Sequence, residues 1–164
     1  MAGEVVVRGL RPDETERLVE IAIRAWTPIY GTFRRILGDE LFAVARPDWE
    51  QEKARQVRAA CDPDDRAMVG VAELDGRIVG FVTFYADERS RIGEIGNNAV
   101  DPDFQGRGIG PRMYEYVFDR LRERGMRFVE VSTGLDPGHA PARRAYEKAG
   151  FSIQLPMVKY YRKL

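Results

Sequence analysis

The sequence predicts an α/β domain in which a mixed, mostly antiparallel central sheet is flanked by helices. Three observations carry this expectation. Apolar runs follow one another as strand, helices, three strands, helix, strand, helix and closing strands. Asp75 and Gly76 sit between two alternating apolar runs, a strong hairpin signal. A glycine-rich turn separates a strand from a helix late in the chain, where a parallel crossover fits.

The elements follow in order. Val5, Val6 and Val7 make a short first strand. Asp13 opens a helical pattern with Leu18, Ile21, Ala22 and Ala25 on one face, and Pro28 and Gly31 interrupt that region. A second helix starts near Pro47, which suits a first turn, and runs to about Ala60. Strands are expected over 67–74 and 78–85 around the hairpin turn, and over 92–100, where Asp101 and Pro102 end the run. A helix over 111–124 stops at Gly125, a strand spans 128–132, and a helix over 141–149 closes at Gly150. Short strands over 151–153 and 158–161 finish the chain.

Composition narrows the classes of function. A length of 164 residues fits one domain, residues 1–164, and 44% apolar content is enough for one core at that size. The 26 basic and 26 acidic residues cancel, so no global charge argues for nucleic acid; a local patch stays open. Cys61 is the only cysteine and has no nearby histidine, so no intrachain disulfide forms and the thiol reads as structural. The start has no long apolar run and carries Glu4, and no stretch approaches the roughly 20 apolar residues that cross a bilayer. The expected location is the cytoplasm, with no membrane partner.

The informative segment runs N-N-A-V-D-P-D-F-Q-G-R-G-I-G-P over 97–111. It places Gly106, Gly108 and Gly110 ahead of a helix whose first turn holds Pro111. Free backbone N–H groups at such a turn, with the positive end of the helix dipole, form a site for phosphate. The P-loop pattern is absent, and a dinucleotide fingerprint would need glycine where Pro111 stands. A tight turn that uses glycine for geometry alone is the other reading.

Q-G-R-G-I-G over 105–110 matches the Q/R-x-x-G-x-G/A motif of the GNAT superfamily of N-acetyltransferases. The preceding G-E-I-G-N-N-A-V-D-P resembles that family's central strand, A-R-R-A-Y-E-K-A-G-F over 142–151 resembles its second signature, and V-R-G-L-R-P-D-E resembles its opening. The resemblance covers nearly the whole chain. It implies a GNAT-like fold with a splayed parallel strand pair, and acetyl-coenzyme A as co-substrate with no metal. The pantetheine arm would lie along Asn98, Ala99 and Val100 as an added strand, and the diphosphate on the N–H groups of Gln105, Gly106, Arg107, Gly108, Ile109 and Gly110, beside Pro111. Arg107 and Arg112 are candidates for phosphate contacts or plain solvated arginines.

Tyr146 matches the tyrosine that often protonates the departing thiolate, though a helix tyrosine packed on the sheet is the simpler reading. Ala142 opens the second signature, on the cofactor side. His139, the only histidine, stands where many members have a cofactor-contacting asparagine; it is a candidate base or a group near a helix start. Glu94 is the candidate general base or a solvated carboxylate, and alternation puts Glu94, Gly96, Asn98 and Val100 on one face unless a bulge intervenes. In this family the loop between the first two helices often covers the acceptor. Here that stretch is 26–33, so Trp26 and Tyr30 are candidates for the acceptor wall or for the core, and Tyr160 or Tyr161 could also face the acceptor.

The expected activity is transfer of the acetyl group to a primary amine of a small molecule or polypeptide, by direct attack. The alternatives are a non-catalytic acetyl-coenzyme A sensor and a fold that serves only oligomer contacts. Homodimers are common in the family, which adds a second copy to the expected partners.

Overall fold

A computed structural model describes residues 3–164. Five strands form one sheet in the order β1 (Val5–Gly9), β2 (Met68–Leu74), β3 (Arg77–Asp87), β4 (Ile92–Val100), β5 (Phe128–Val131). The first four pair antiparallel, and β4 and β5 pair parallel. At the β2–β3 turn both Asp75 and Gly76 take positive φ, which matches the right-handed twist of a hairpin.

Two helices cover one face of the sheet. α1 (Thr15–Ala45) and α2 (Trp49–Ala60) bury Leu18, Ile21, Ala22 and Val57 against Val71, Phe81 and Ala99. On the other face α3 (Ile109–Glu123) and α4 (Ala140–Lys148) pack Ile109, Met113, Tyr114, Val117 and Tyr146 on Val82, Phe84 and Ile95. Glycine at position 93 leaves room for Leu121, which a Cβ there would meet at 2.4 Å.

Three expectations need correction. Pro28 and Gly31 do not interrupt α1, which runs through both and departs from helical geometry only at Gly38, where φ is 76°. Pro28 supplies no N–H to the Arg24 carbonyl one turn earlier, yet the helix continues; within it the Thr27 hydroxyl donates to the Ile23 carbonyl and the Thr32 hydroxyl to the Pro28 carbonyl. The stretch 26–33 is therefore helix, not a loop between helices. Residues 149–164 form no strand, and no strand of the sheet pairs with them.

Asp101, just past β4, ties the two layers together. It is 1% exposed and accepts from Arg17 at 2.5 Å and Arg24 at 2.7 Å, both on α1. Burial works to raise its pKa, but the Asp103 backbone N–H and the two guanidinium groups outweigh it and hold the carboxyl below its usual range. The corner that starts the glycine-rich turn is thereby pinned to α1.

Candidate active site

The site grows from an irregularity in β4. Val82 pairs with Asn98 and Phe84 with Ile95, so Thr83 faces both Gly96 and Asn97. This is a β-bulge, and it reverses the alternation beyond it. Asn98, paired with Val82, faces α3 and α4, whereas Glu94, paired with Tyr85, faces the α1 and α2 side. The expectation that Glu94 and Asn98 share a face is thus overturned by the bulge. Glycine is needed at 96, since a Cβ there would stand 2.7 Å from the Thr83 Oγ1. That Oγ1 is itself buried without a hydrogen-bond partner.

The parallel pairing of β4 with β5 runs from Ile92 with Phe128 to Ile95 with Val131 and then stops. From Gly96 to Val100 the strand is paired with β3 on one side only. The splay implied by the resemblance is present, and it leaves a strand edge with backbone donors and acceptors to satisfy. Asn98 sits beside it. Its Nδ2 donates to the Tyr146 hydroxyl at 3.0 Å, and its Oδ1 accepts from the Tyr114 hydroxyl at 3.1 Å. Burial pushes both phenols up in pKa; for Tyr146 the hydrogen bonds from Asn98 and Tyr114 oppose that rise. The sequence brought Asn98 and Tyr146 forward, but not Tyr114; its position on the apolar face of α3, beside Met113 and Val117, was the available signal.

The glycine-rich turn follows a single 3-10 turn, Pro102–Phe104. Gly108 caps α3 in the left-handed region, with φ 76°, a conformation that strains a side chain. No backbone N–H from residues 105–110 donates within the described structure, and a Cβ at Gly106, Gly108 or Gly110 would meet nothing within 4 Å. The turn therefore presents unpaired donors to open space, the arrangement a phosphate requires. Gln105 donates from its side chain to the Val100 carbonyl at 3.2 Å, which links the turn to the strand edge. Arg107 is exposed and lies 5.1 Å from the Phe104 ring, and exposed Arg112 sits 4.0 Å from Glu115. Pro111 is exposed in the first turn of α3, and Ala142 packs half-buried on the core of that face.

His139 Nδ1 lies 2.6 Å from Asp136 Oδ2, and the ring centroid is 5.6 Å from that of Phe33. Glu94 is exposed, beside Glu130 of β5 in the parallel register. The Tyr85 phenol opposite it is raised by burial first, then by the Asp65 and Glu94 charges.

Beyond the bulge on the α1 and α2 side lies a buried lysine that sequence reading missed. Lys53 on α2 is 7% exposed and donates to Asn97 Oδ1 at 2.8 Å and Gln56 Oε1 at 3.0 Å. Its ammonium lies 4.3 Å from the Trp26 ring centroid. Burial pushes its pKa down to about 8, opposed by the Glu52 charge. Tyr30 stacks on Trp49 at 4.2 Å, so Trp26 and Tyr30 both pack against neighbours on α2. Among the described residues, no group of three or more His, Cys, Asp or Glu side chains is placed to hold a metal, and no helix is long and apolar enough to cross a membrane.

Comparison with known proteins agrees with this geometry. Residues 26–151 match the model of the acetyltransferase (GNAT) family. An uncharacterized N-acetyltransferase of Methanocaldococcus jannaschii is 35% identical over 86 residues, which cover 49% of this chain and 37% of that protein. The mycothiol acetyltransferase of Thermomonospora curvata is 36% identical over 113 residues, covering 68% of this chain and 35% of that protein. The chain thus spans little more than a third of either relative. The PaiA N-acetyltransferase of Thermoplasma acidophilum, solved with coenzyme A, superposes with a TM-score of 0.68 at 17% identity, covering 92% of this chain and 91% of that one.

Proposed function

Since the chain belongs to the GNAT acetyltransferase family, we propose that it is an acyltransferase that moves the acetyl group of acetyl-coenzyme A to a primary amine of a small molecule or polypeptide. The observation that carries this reading is the pairing of two unsatisfied donor sets. One is the edge of β4 released from β5 after Ile95, and the other is the run of unpaired N–H groups over 105–110. A pantetheine arm fits the first as an added strand, along Asn98, Ala99 and Val100. A diphosphate fits the second, with Arg107 and Arg112 placed to add charge and Pro111 in the first turn of α3; we assign His139 and Ala142, at the start of α4, to the rest of the cofactor.

In this reading the amine nitrogen attacks the thioester carbonyl carbon, and the C–S bond breaks as the C–N bond forms. Holding both reactants in the splay supplies much of the rate gain. The Tyr146 hydroxyl, kept protonated by burial, donates its proton to the departing sulfur. Glu94 accepts the proton from the amine, directly or through water. It does so from the α1 and α2 side, where Trp26 and Tyr30 belong to the acceptor wall. The protein works in the cytoplasm as one domain and with no metal.

Calorimetry with acetyl-coenzyme A, followed by an amine panel scored for coenzyme A release, tests the proposal. Gly110→Trp is the matched variant, because residue 110 lacks the positive φ that would strain Gly108→Trp, and the side chain enters the open space before the turn. Loss of affinity at unchanged melting temperature is expected. Unchanged affinity removes the phosphate site, and binding without turnover on any amine points to a sensor.

A further inference from the structure

Lys53 is a buried cation without a counter-ion. It is 7% exposed, and lysine at that depth is rarely found without a carboxylate beside it. Here the acceptors are two neutral amide oxygens, those of Asn97 and Gln56, and Lys53 forms no ion pair among the described residues. Glu52, the carboxylate whose charge reaches it, accepts instead from Arg55 and from Gln56 Nε2 at 3.2 Å. A desolvated charge left unpaired is costly, so a site that keeps one is set up for an anion that arrives from outside.

The surroundings complete such a site. An ammonium has three N–H donors, and the two amides use two of them. Asn97 Nδ2 donates to nothing among the described residues. Both groups stand at the stretch of β4 released from β5, on the α1 and α2 side. Gln56 is exposed, so its Oε1 can give way to a carboxylate oxygen, and the charged acceptor makes the stronger bond. On the same face of β4, before the bulge, stands exposed Glu94, with Glu130 beside it in the parallel register. Neither carboxylate forms an ion pair among the described residues. Opposite charges thus share one face without neutralising each other, a pattern complementary to a zwitterion. A polyamine would bring like charge to Lys53, and a peptide N-terminus carries an amide where a free amino acid carries its carboxylate.

We infer that the acceptor is a free amino acid, with its carboxylate held by Lys53 Nζ and Asn97 Nδ2 and its amine turned toward Glu94. The inference rests on the acetyl-transfer reading and narrows it to one class of small molecule. The ammonium gives a proton to Glu94, and the freed nitrogen attacks the thioester carbonyl carbon. The C–N bond forms, the C–S bond breaks, the nitrogen releases a second proton, and the sulfur takes one from Tyr146. The products are an N-acetyl amino acid and coenzyme A. The carboxylate is unchanged throughout, so Lys53 binds and orients without exchanging a proton.

The test uses the full chain with acetyl-coenzyme A, after calorimetry has measured affinity for that cofactor, and follows coenzyme A release. The acceptors are the standard primary-amine α-amino acids and β-alanine, each beside its carboxamide, together with spermidine and triglycine amide. For the preferred acid, kcat/KM should exceed that of its carboxamide at least about tenfold, the worth of one hydrogen bond to a charged group. Lys53→Met should bring that ratio close to one. So should Gln56→Glu, an exposed change that supplies the missing counter-ion from within and keeps the core intact. No affinity for acetyl-coenzyme A overturns the acetyl-transfer reading, and the inference with it. Turnover of carboxamides, spermidine or triglycine amide at the rate of the acids leaves that reading standing and overturns the inference alone. Failure to turn over any free amino acid despite cofactor binding also overturns it, as does an unchanged ratio in a folded Gln56→Glu protein.

Discussion

Tyr146→Phe separates a structural hydroxyl from a chemical one. The substitution keeps the ring among Tyr114 and Phe151 and removes one oxygen, which accepts from Asn98 Nδ2 at 3.0 Å. After the change, Asn98 Nδ2 retains only the long contact to the Gly96 carbonyl at 3.4 Å. A lost neutral hydrogen bond costs about 1 kcal/mol. In a domain of this size that is a fall of roughly 2–4 °C in melting temperature, and by misplacing Asn98 it could lower the rate about fivefold. Loss of a general acid costs about 10²–10⁴-fold in turnover. The two roles therefore differ by at least an order of magnitude. Tyr114→Phe is the internal control, since it removes a similar bond to the other end of the same amide, at 3.1 Å. The assay follows release of the coenzyme A thiol with a chromogenic reagent, at saturating and limiting acetyl-coenzyme A. Turnover should collapse for Tyr146→Phe with KM for acetyl-coenzyme A within about threefold, and fall no more than about fivefold for Tyr114→Phe. Equal losses in both variants, or a Tyr146→Phe enzyme within fivefold of the parent, would refute the assignment of Tyr146 as the acid.

Three further outcomes are expected. Asp101→Asn leaves Arg17 and Arg24 facing a neutral amide at the start of the glycine-rich turn and should cost on the order of 3 kcal/mol, read by urea titration; a change under 1 kcal/mol contradicts the pinning role. Thr83→Val removes the unpartnered Oγ1 beneath the bulge and should raise stability by about 1 kcal/mol, measured calorimetrically, whereas a loss would mean that the hydroxyl has a partner in solution. Lys53 falls from an ordinary 10.5 to about 8 in the folded chain, so between these values the unfolded chain holds more protons and stability rises with pH. Lys53→Met lacks that rise, and the melting-temperature difference should move in favour of the parent from pH 8 upward; parallel curves would show that the ammonium is not desolvated.

The parts of the fold that were legible are those decided by local chemistry. Asp75 and Gly76 specify a tight turn whatever surrounds them, and the glycines before α3 leave few alternatives for the backbone. The bulge was not legible, because it depends on Thr83 of a neighbouring strand facing two residues at once. Without it, alternation placed Glu94 beside Asn98, on the wrong face. Pro28 misled because propensity alone reads a break there, whereas burial of Leu18, Ile21 and Ala22 before it and of Thr32 after it carries α1 through. Lys53 and Asp101 are ordinary surface types in sequence, and only contacts across 44 and 84 positions distinguish them. The closing strands were misjudged because a strand exists only with a partner, and no described strand pairs with that segment.

The bulge also gives the site its division of labour. Two consecutive asparagines leave β4 in opposite directions. Asn98 enters the pair of buried phenols under α3 and α4, and Asn97 reaches the Lys53 ammonium under α1 and α2. A regular strand would also alternate these two side chains, but it would then place Glu94 with Asn98 and leave Glu94 and Tyr146, the proposed base and acid, on one side. The extra residue moves Glu94 across the sheet while keeping Asn98 against Tyr146. In the proposed reaction, the proton released by the amine and the proton needed by the departing sulfur would be handled on opposite faces of one strand. Glycine at 96 fits this arrangement, because a Cβ there would stand 2.7 Å from the Thr83 Oγ1.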